Sequence, residues 1–78
     1  LKFDKYLSSL GREFVRHQGE YKGFKFQAVF DSDWDFMYVG SELHISRGEL
    51  ISCGPHFFQV QDSMTRDFGV TQYKLHNL

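Results

Sequence analysis

Asp31, Asp33 and Asp35 stand at alternate positions, and Glu42 follows eleven residues after the first. This is the side-chain ligand spacing of a calcium-binding EF-hand loop, in which carboxylate oxygens converge on one hard cation. Such a loop also needs a glycine at its sixth position and a helix on either side. Here the sixth position is Phe36, and the preceding residues alternate as a strand does. The expected role of the acids is therefore to form a turn and keep it soluble. Metal binding by Asp31, Asp33, Asp35 and Glu42 is the weaker expectation, and no cofactor is expected. Cys53 is the single cysteine, which excludes an intramolecular disulfide. A nucleophilic pair with His56 or His44 lacks an orienting third residue, so the thiol is expected to fill core space as a small apolar group. His17, His44, His56 and His76 fall on different predicted elements, without the close pairing of zinc sites, and are expected at the surface.

Two further clusters suit binding rather than reaction. Lys5, Arg12, Arg16, Lys22, Lys25 and Lys74 interleave with aromatics, as in barrels that stack single-stranded bases on rings. A net charge of −1 removes the field that draws in polyanions, and Phe24 and Phe26 are better placed in the core. Trp34, Phe36, Met37 and Tyr38 crowd one segment rich in turn-forming acids. Read as an irregular loop, 31–40 cannot turn all four into a small core. They are expected to form a protein-protein interface with Trp34 as its anchor, and the competing reading folds two of them back over a barrel mouth.

These residues must be held by a small scaffold. A chain of 78 residues is expected to make one domain spanning 1–78, burying roughly 60 per cent of its unfolded surface. Aromatic residues make up 18%, nine of them Phe, so large rings are expected to fill a thin core. No basic stretch leading into an apolar run marks a secretion signal. No run of about 20 apolar residues marks a membrane span, so a soluble protein of a reducing compartment is expected.

Phe3, Leu7 and Leu10 recur at helical steps, predicting a short amphipathic helix over 2–10 that Gly11 stops. Its apolar stripe is expected to lie on the sheet as a lid, or else to dock onto a neighbouring subunit. Strands are predicted over 12–18, 24–31, 42–46, 49–53, 57–62 and 70–76. The clearest is 24–31, where Phe24, Phe26, Ala28 and Phe30 alternate with Lys25, Gln27, Val29 and Asp31. Leu43 and Ile45 are expected to face inward from 42–46, and Phe58 and Val60 from 57–62. Gly54-Pro55 is expected to reverse the chain with Pro55 at the second position of a type I or II turn, making 47–62 the central hairpin. The fold class is therefore mainly β: a small SH3-like or rolled antiparallel β-barrel of five to six short strands with one N-terminal helix.

The C-terminal half carries Gly48-Glu49 leading into Leu50-Ile51, a turn at Gly54, Phe57-x-x-Val60, an acid-and-glycine loop from Asp62 to Gly69, and Tyr73-x-Leu75. In this order the chain resembles the small head-tail joining proteins of tailed bacteriophages and prophages, a group with the lambda-type joining protein and the stopper or head-completion proteins. The resemblance implies a non-enzymatic barrel of the virion, found in the host cytoplasm during assembly. It would form a homo-oligomeric ring beneath the portal, close the DNA-filled head and dock the tail. Portal or adaptor and tail proteins would be its partners, DNA would be only passing cargo, and no membrane is implied. A ring needs two different contact patches. The Trp34 to Tyr38 segment is expected as one, and the loop bearing Arg66 and Phe68, or the helix, as the other. The alternative is an SH3-like or OB-like module that recognises a peptide or single-stranded nucleic acid.

Overall fold

The computed structural model describes the backbone of residues 2–11 and 13–78 and, within that range, the side chains from Lys5 onward. The expected contribution of Phe3 to the helix stripe and of Arg12 to the first strand lies outside the described residues. Among the described residues the elements are α1 (Lys2–Ser9), β1 (Phe14–Tyr21), β2 (Phe24–Asp31), β3 (Phe36–Gly40), β4 (Leu50–Cys53), β5 (His56–Arg66), a 3-10 turn at Asp67–Gly69, and β6 (Val70–Asn77). The strands close into an antiparallel barrel in the order β1-β2-β3-β6-β5-β4, and β4 returns to β1 through Glu20 opposite Ser52. The small β-barrel with one helix is the architecture that the alternation and turn spacing imply.

Inside the barrel, Phe26, Ala28 and Phe30 of β2 meet Met37 and Val39 of β3, Ile51 and Cys53 of β4, Phe58 and Val60 of β5, and Tyr73 and Leu75 of β6. The two-residue period of each strand turns one set inward. A second apolar layer lies outside the barrel wall. Tyr6 and Leu7 of α1 pack on Val29 of β2, Tyr38 of β3 and Val70 of β6, with Leu10, Phe14 and Phe36 around them. An eight-residue helix is too short to be stable alone, so this burial holds it in place.

The outer layer explains one departure from expectation. Phe36 to Gly40 is a strand, not part of a loop, because β3 is buried on both faces: Met37 and Val39 face the barrel and Tyr38 faces α1. A strand covered on both sides loses its polar alternation and reads as a continuous apolar run. The opposite correction applies to 42–46, which is irregular. Its amides are taken by local turns and by a side chain in place of a ladder: Leu43 donates to the Gly40 carbonyl at 3.2 Å, Ile45 to Tyr73 Oη at 3.1 Å, and Glu49 closes the next turn on the Ser46 carbonyl at 3.1 Å. The inward pointing of Ile45 and Leu43 is as expected: Ile45 is buried and Leu43 packs against the core.

Smaller corrections concern turns and ends. β1 runs on to Tyr21 and reverses through Lys22-Gly23, so Phe24 sits at the barrel rim and is exposed rather than inward. Pro55 occupies the third turn position, not the second. Gly54 precedes it with φ +59, the arrangement of a II′ hairpin, whose twist matches the flanking strands. β4 has only four residues, and the longer ladders are β1 with β2 and β5 with β6, so the 47–62 hairpin is one wall of the ring and not its centre. Gly19 serves a close approach: a Cβ there would meet Phe26 Cζ at 2.6 Å and Cys53 Sγ at 3.1 Å.

Candidate functional site

The β2–β3 connection and the β4–β5 turn share one mouth of the barrel, and the sequence folds the first of them over it. Asp31 is buried, and its Oδ1 accepts hydrogen bonds from the amides of Asp35 at 2.9 Å and Phe36 at 3.2 Å. The amide of Trp34 donates to the carbonyl of Asp31 at 3.1 Å, and Trp34 itself has φ +61. This tight loop turns the indole back across the opening. Its ring lies 5.0 Å from Phe30, 4.8 Å from His56, 5.4 Å from His17 and 6.0 Å from Phe58, the last pair stacked at 13°. Trp34 is thus a half-buried plug among aromatic and imidazole rings; the competing reading folds two of the four side chains over a mouth, and of the four only Trp34 does so, with Met37 inside the barrel and Tyr38 and Phe36 in the helix layer. Of the histidines, His44, His56 and His76 are exposed as expected, whereas His17 is half-buried in this cluster.

The other mouth is closed by 41–49. Tyr73 Oη donates to the Leu43 carbonyl at 3.2 Å and accepts from the Ile45 amide at 3.1 Å, while the Ser41 amide donates to the Gly69 carbonyl at 2.9 Å. One buried phenol therefore pins the segment that carries Leu43 and Ile45 inward.

The candidate metal ligands divide between these two ends. Oxygens of Asp31, Asp33 and Asp35 lie within 4.8 Å of one another. Glu42 lies beyond the other end of β3, whose five residues span roughly 16 Å at about 3.3 Å each. Its carboxylate sits over Gly40 instead. The four-acid set does not form, and the flanking elements are strands, not the helices of an EF-hand. What the acid loop does locally is orient Trp34, through the buried carboxylate of Asp31.

Cys53 is fully buried inside the barrel, and burial pushes its thiol up to about 11. The thiolate needed for nucleophilic attack is correspondingly scarce at neutral pH. The side chain fills core space, as its place on the inward side of the strand implies.

The expected interface through Trp34, Phe36, Met37 and Tyr38 is corrected by burial. Met37 is 0% exposed and Tyr38 2%, Phe36 is half-buried beside the helix layer, and Trp34 plugs the mouth. The second expected patch stays in solvent but is not the loop expected over 62–69, because β5 runs on to Arg66: Arg66 is exposed, its Nε donating to Gln72 Oε1 at 2.7 Å, and Phe68 is 46% exposed in the short turn against α1. Sequence reasoning missed Leu50 and Phe57, each 58% exposed. They lie diagonally on the outer face of β4 and β5, where Leu50 is opposite Gln59 and Ser52 opposite Phe57. The Phe57-Phe58 pair carried the signal, since adjacent strand residues point to opposite faces and one of the two must leave the core. Comparison with protein-family models, curated proteins and solved structures finds no match for the chain.

Proposed function

We propose that this barrel is a non-catalytic structural part of a phage or prophage head-tail connector, assembling as a ring in the virion between portal or adaptor and tail proteins. The observation that carries the reading is the uncovered pair Leu50 and Phe57. Helix α1 covers the outer face of β2, β3 and β6, while β4 and β5 on the other side of the barrel keep two large apolar side chains in solvent. Phe68, beside α1, offers a second and different apolar contact. Two unlike patches on different sides suit a head-to-tail contact that closes on itself. A net charge of −1 suits a channel that DNA crosses without sticking.

The test is mass by light scattering over a concentration series, with negative-stain imaging, in the presence and absence of a single-stranded oligonucleotide. Ring-shaped assemblies that are lost in Phe57→Ser are the expected result. A monomer that gains mass only with oligonucleotide overturns the reading in favour of a single-strand-binding module.

A further inference from the structure

β5 outlasts its partner on one side. β4 and the residues before it follow β5 only as far as Val60, where the Gly48 amide donates to the Val60 carbonyl at 2.8 Å and the Val60 amide to the Glu49 carbonyl at 2.9 Å. The register then shifts between Val60 and Asp62, and β5 continues to Arg66 paired with β6 alone. Among the described residues no strand meets the other edge of 62–66, and every one of these residues is exposed. Within this edge the Ser63 amide donates to Asp62 Oδ1 at 2.9 Å, and among the described residues the other backbone groups on the side away from β6 have no strand partner, so the edge is a template for another strand.

The side chains say which strand fits. In the antiparallel ladder with β6, Asp62 is opposite Lys74, Met64 opposite Gln72 and Arg66 opposite Val70. Asp62, Met64 and Arg66 therefore share the outer face, and Met64, 54% exposed, lines a shallow groove of about 110 Å³ with Phe36, Gln72 and Lys74. The segment Asp62-Ser63-Met64-Thr65-Arg66 is complementary to itself when reversed. Pairing it with a second copy centred on Met64 sets Asp62 opposite Arg66 of the partner subunit, Ser63 opposite Thr65 of the partner subunit, and the two methionines together. Among the two-fold registers of this edge, this one alone puts acid against base, and it does so twice by symmetry.

We propose that the free edge of β5 is a docking site for a second copy of this chain, joined antiparallel about Met64 so that the sheets of the two barrels run on into each other. The contact is isologous and closes at two, so it stands independently of the head-to-tail ring. An edge of five residues is a small interface, and its association is expected to be reversible, with Kd on the order of 10 to 1,000 μM.

Sedimentation equilibrium on the full chain, up to about 1 mM, tests this with charge exchanges. Asp62→Arg sets arginine against arginine and Arg66→Asp sets aspartate against aspartate. Each single variant is expected to weaken self-association roughly thirtyfold, as two pairs turn from attraction to repulsion. The double variant is expected to recover the wild-type constant, and an equimolar mixture of the two single variants to form a heterodimer. Far-UV circular dichroism shows whether each variant is folded, and the recovery in the double variant separates charge from folding. A wild-type monomer at about 1 mM, or a dimer indifferent to the single exchanges, overturns the proposal. Larger assemblies that respond to Phe57→Ser and not to the charge exchanges overturn it while leaving the ring standing.

Discussion

Replacing Trp34 with Ala separates a plug from an anchor. Were the indole an interface anchor, the change would weaken assembly and leave the monomer's melt nearly intact. The structure gives the reverse expectation, because Trp34 packs on Phe30, Phe58, His17 and His56 of its own chain. Truncating a buried Trp costs about 3–5 kcal/mol, and a half-buried one loses a smaller share, here about 2–3 kcal/mol. In a chain of this size each kcal/mol moves the midpoint by about 4–8 °C, so the Tm should fall by roughly 10–20 °C. Trp34→Gly makes the comparison sharper. It removes the same side chain but accepts φ +61 without strain, so it should melt no lower than Trp34→Ala. Because Trp34 is the single tryptophan, its fluorescence reports this mouth alone and should change together with circular dichroism during unfolding. A fall in Tm of less than about 3 °C for the alanine variant, together with a loss of its assembly, would refute the plug.

Two other perturbations address buried groups. The raised pKa of Cys53 means that folding favours the neutral thiol, so its contribution is intact below the ordinary value near 9 and is lost as pH rises towards about 11, by about 3 kcal/mol at most. Wild type should therefore lose stability to denaturant over pH 9–11 more steeply than Cys53→Ala, and a thiol reagent at pH 8 should label the folded chain far more slowly than the unfolded one; parallel pH curves would contradict this. Tyr73→Phe removes the donor to the Leu43 carbonyl and the acceptor for the Ile45 amide, for an expected loss of about 1–3 kcal/mol. Amide exchange should quicken first at Ile45, and unchanged protection there would count against the phenol as the pin.

The sequence shows its pattern where a strand has one wet face and hides it where both are dry. β2 alternates over most of its length, and β4, the first half of β5 and β6 follow from turn chemistry at Gly54 and from Phe58, Val60, Tyr73 and Leu75, whereas the second half of β5, 62–66, reads as a loop because none of its residues is buried. β3 was hidden because the residues covering its outer face, Tyr6 and Leu7, lie about thirty positions away in the chain. Local periodicity carries no trace of such a tertiary cover. The segment 42–46 misled in the opposite way. Leu43 and Ile45 point inward from an irregular path across the mouth, and two inward residues two apart resemble a strand whatever the backbone does. The acid loop gave the right turn and the wrong partner, since spacing along the chain cannot show that β3 carries Glu42 to the far end of the barrel.

The same burial relocates the surface available for assembly. Once α1 and the barrel interior take Tyr38 and Met37, the large apolar groups left in solvent on strands include Val15 and Phe24 on β1 and β2 as well as Leu50 and Phe57 on the wall away from the helix and Met64 on the β5 extension. Leu50 and Phe57 do not stand out in sequence, because each is next to a residue that does enter the core, Phe57 by Phe58 and Leu50 by Ile51. The outward neighbour of an inward residue is a hydrophobe at Leu50 and Phe57, where solvent alone would favour a polar side chain. That excess over what folding uses is the physical argument for the contacts proposed on the barrel wall. The proposed contacts then fall on strand faces and on the free edge of β5, where the barrel ladder fixes side-chain positions, instead of on the aromatic loop, whose tryptophan is already committed to closing the mouth.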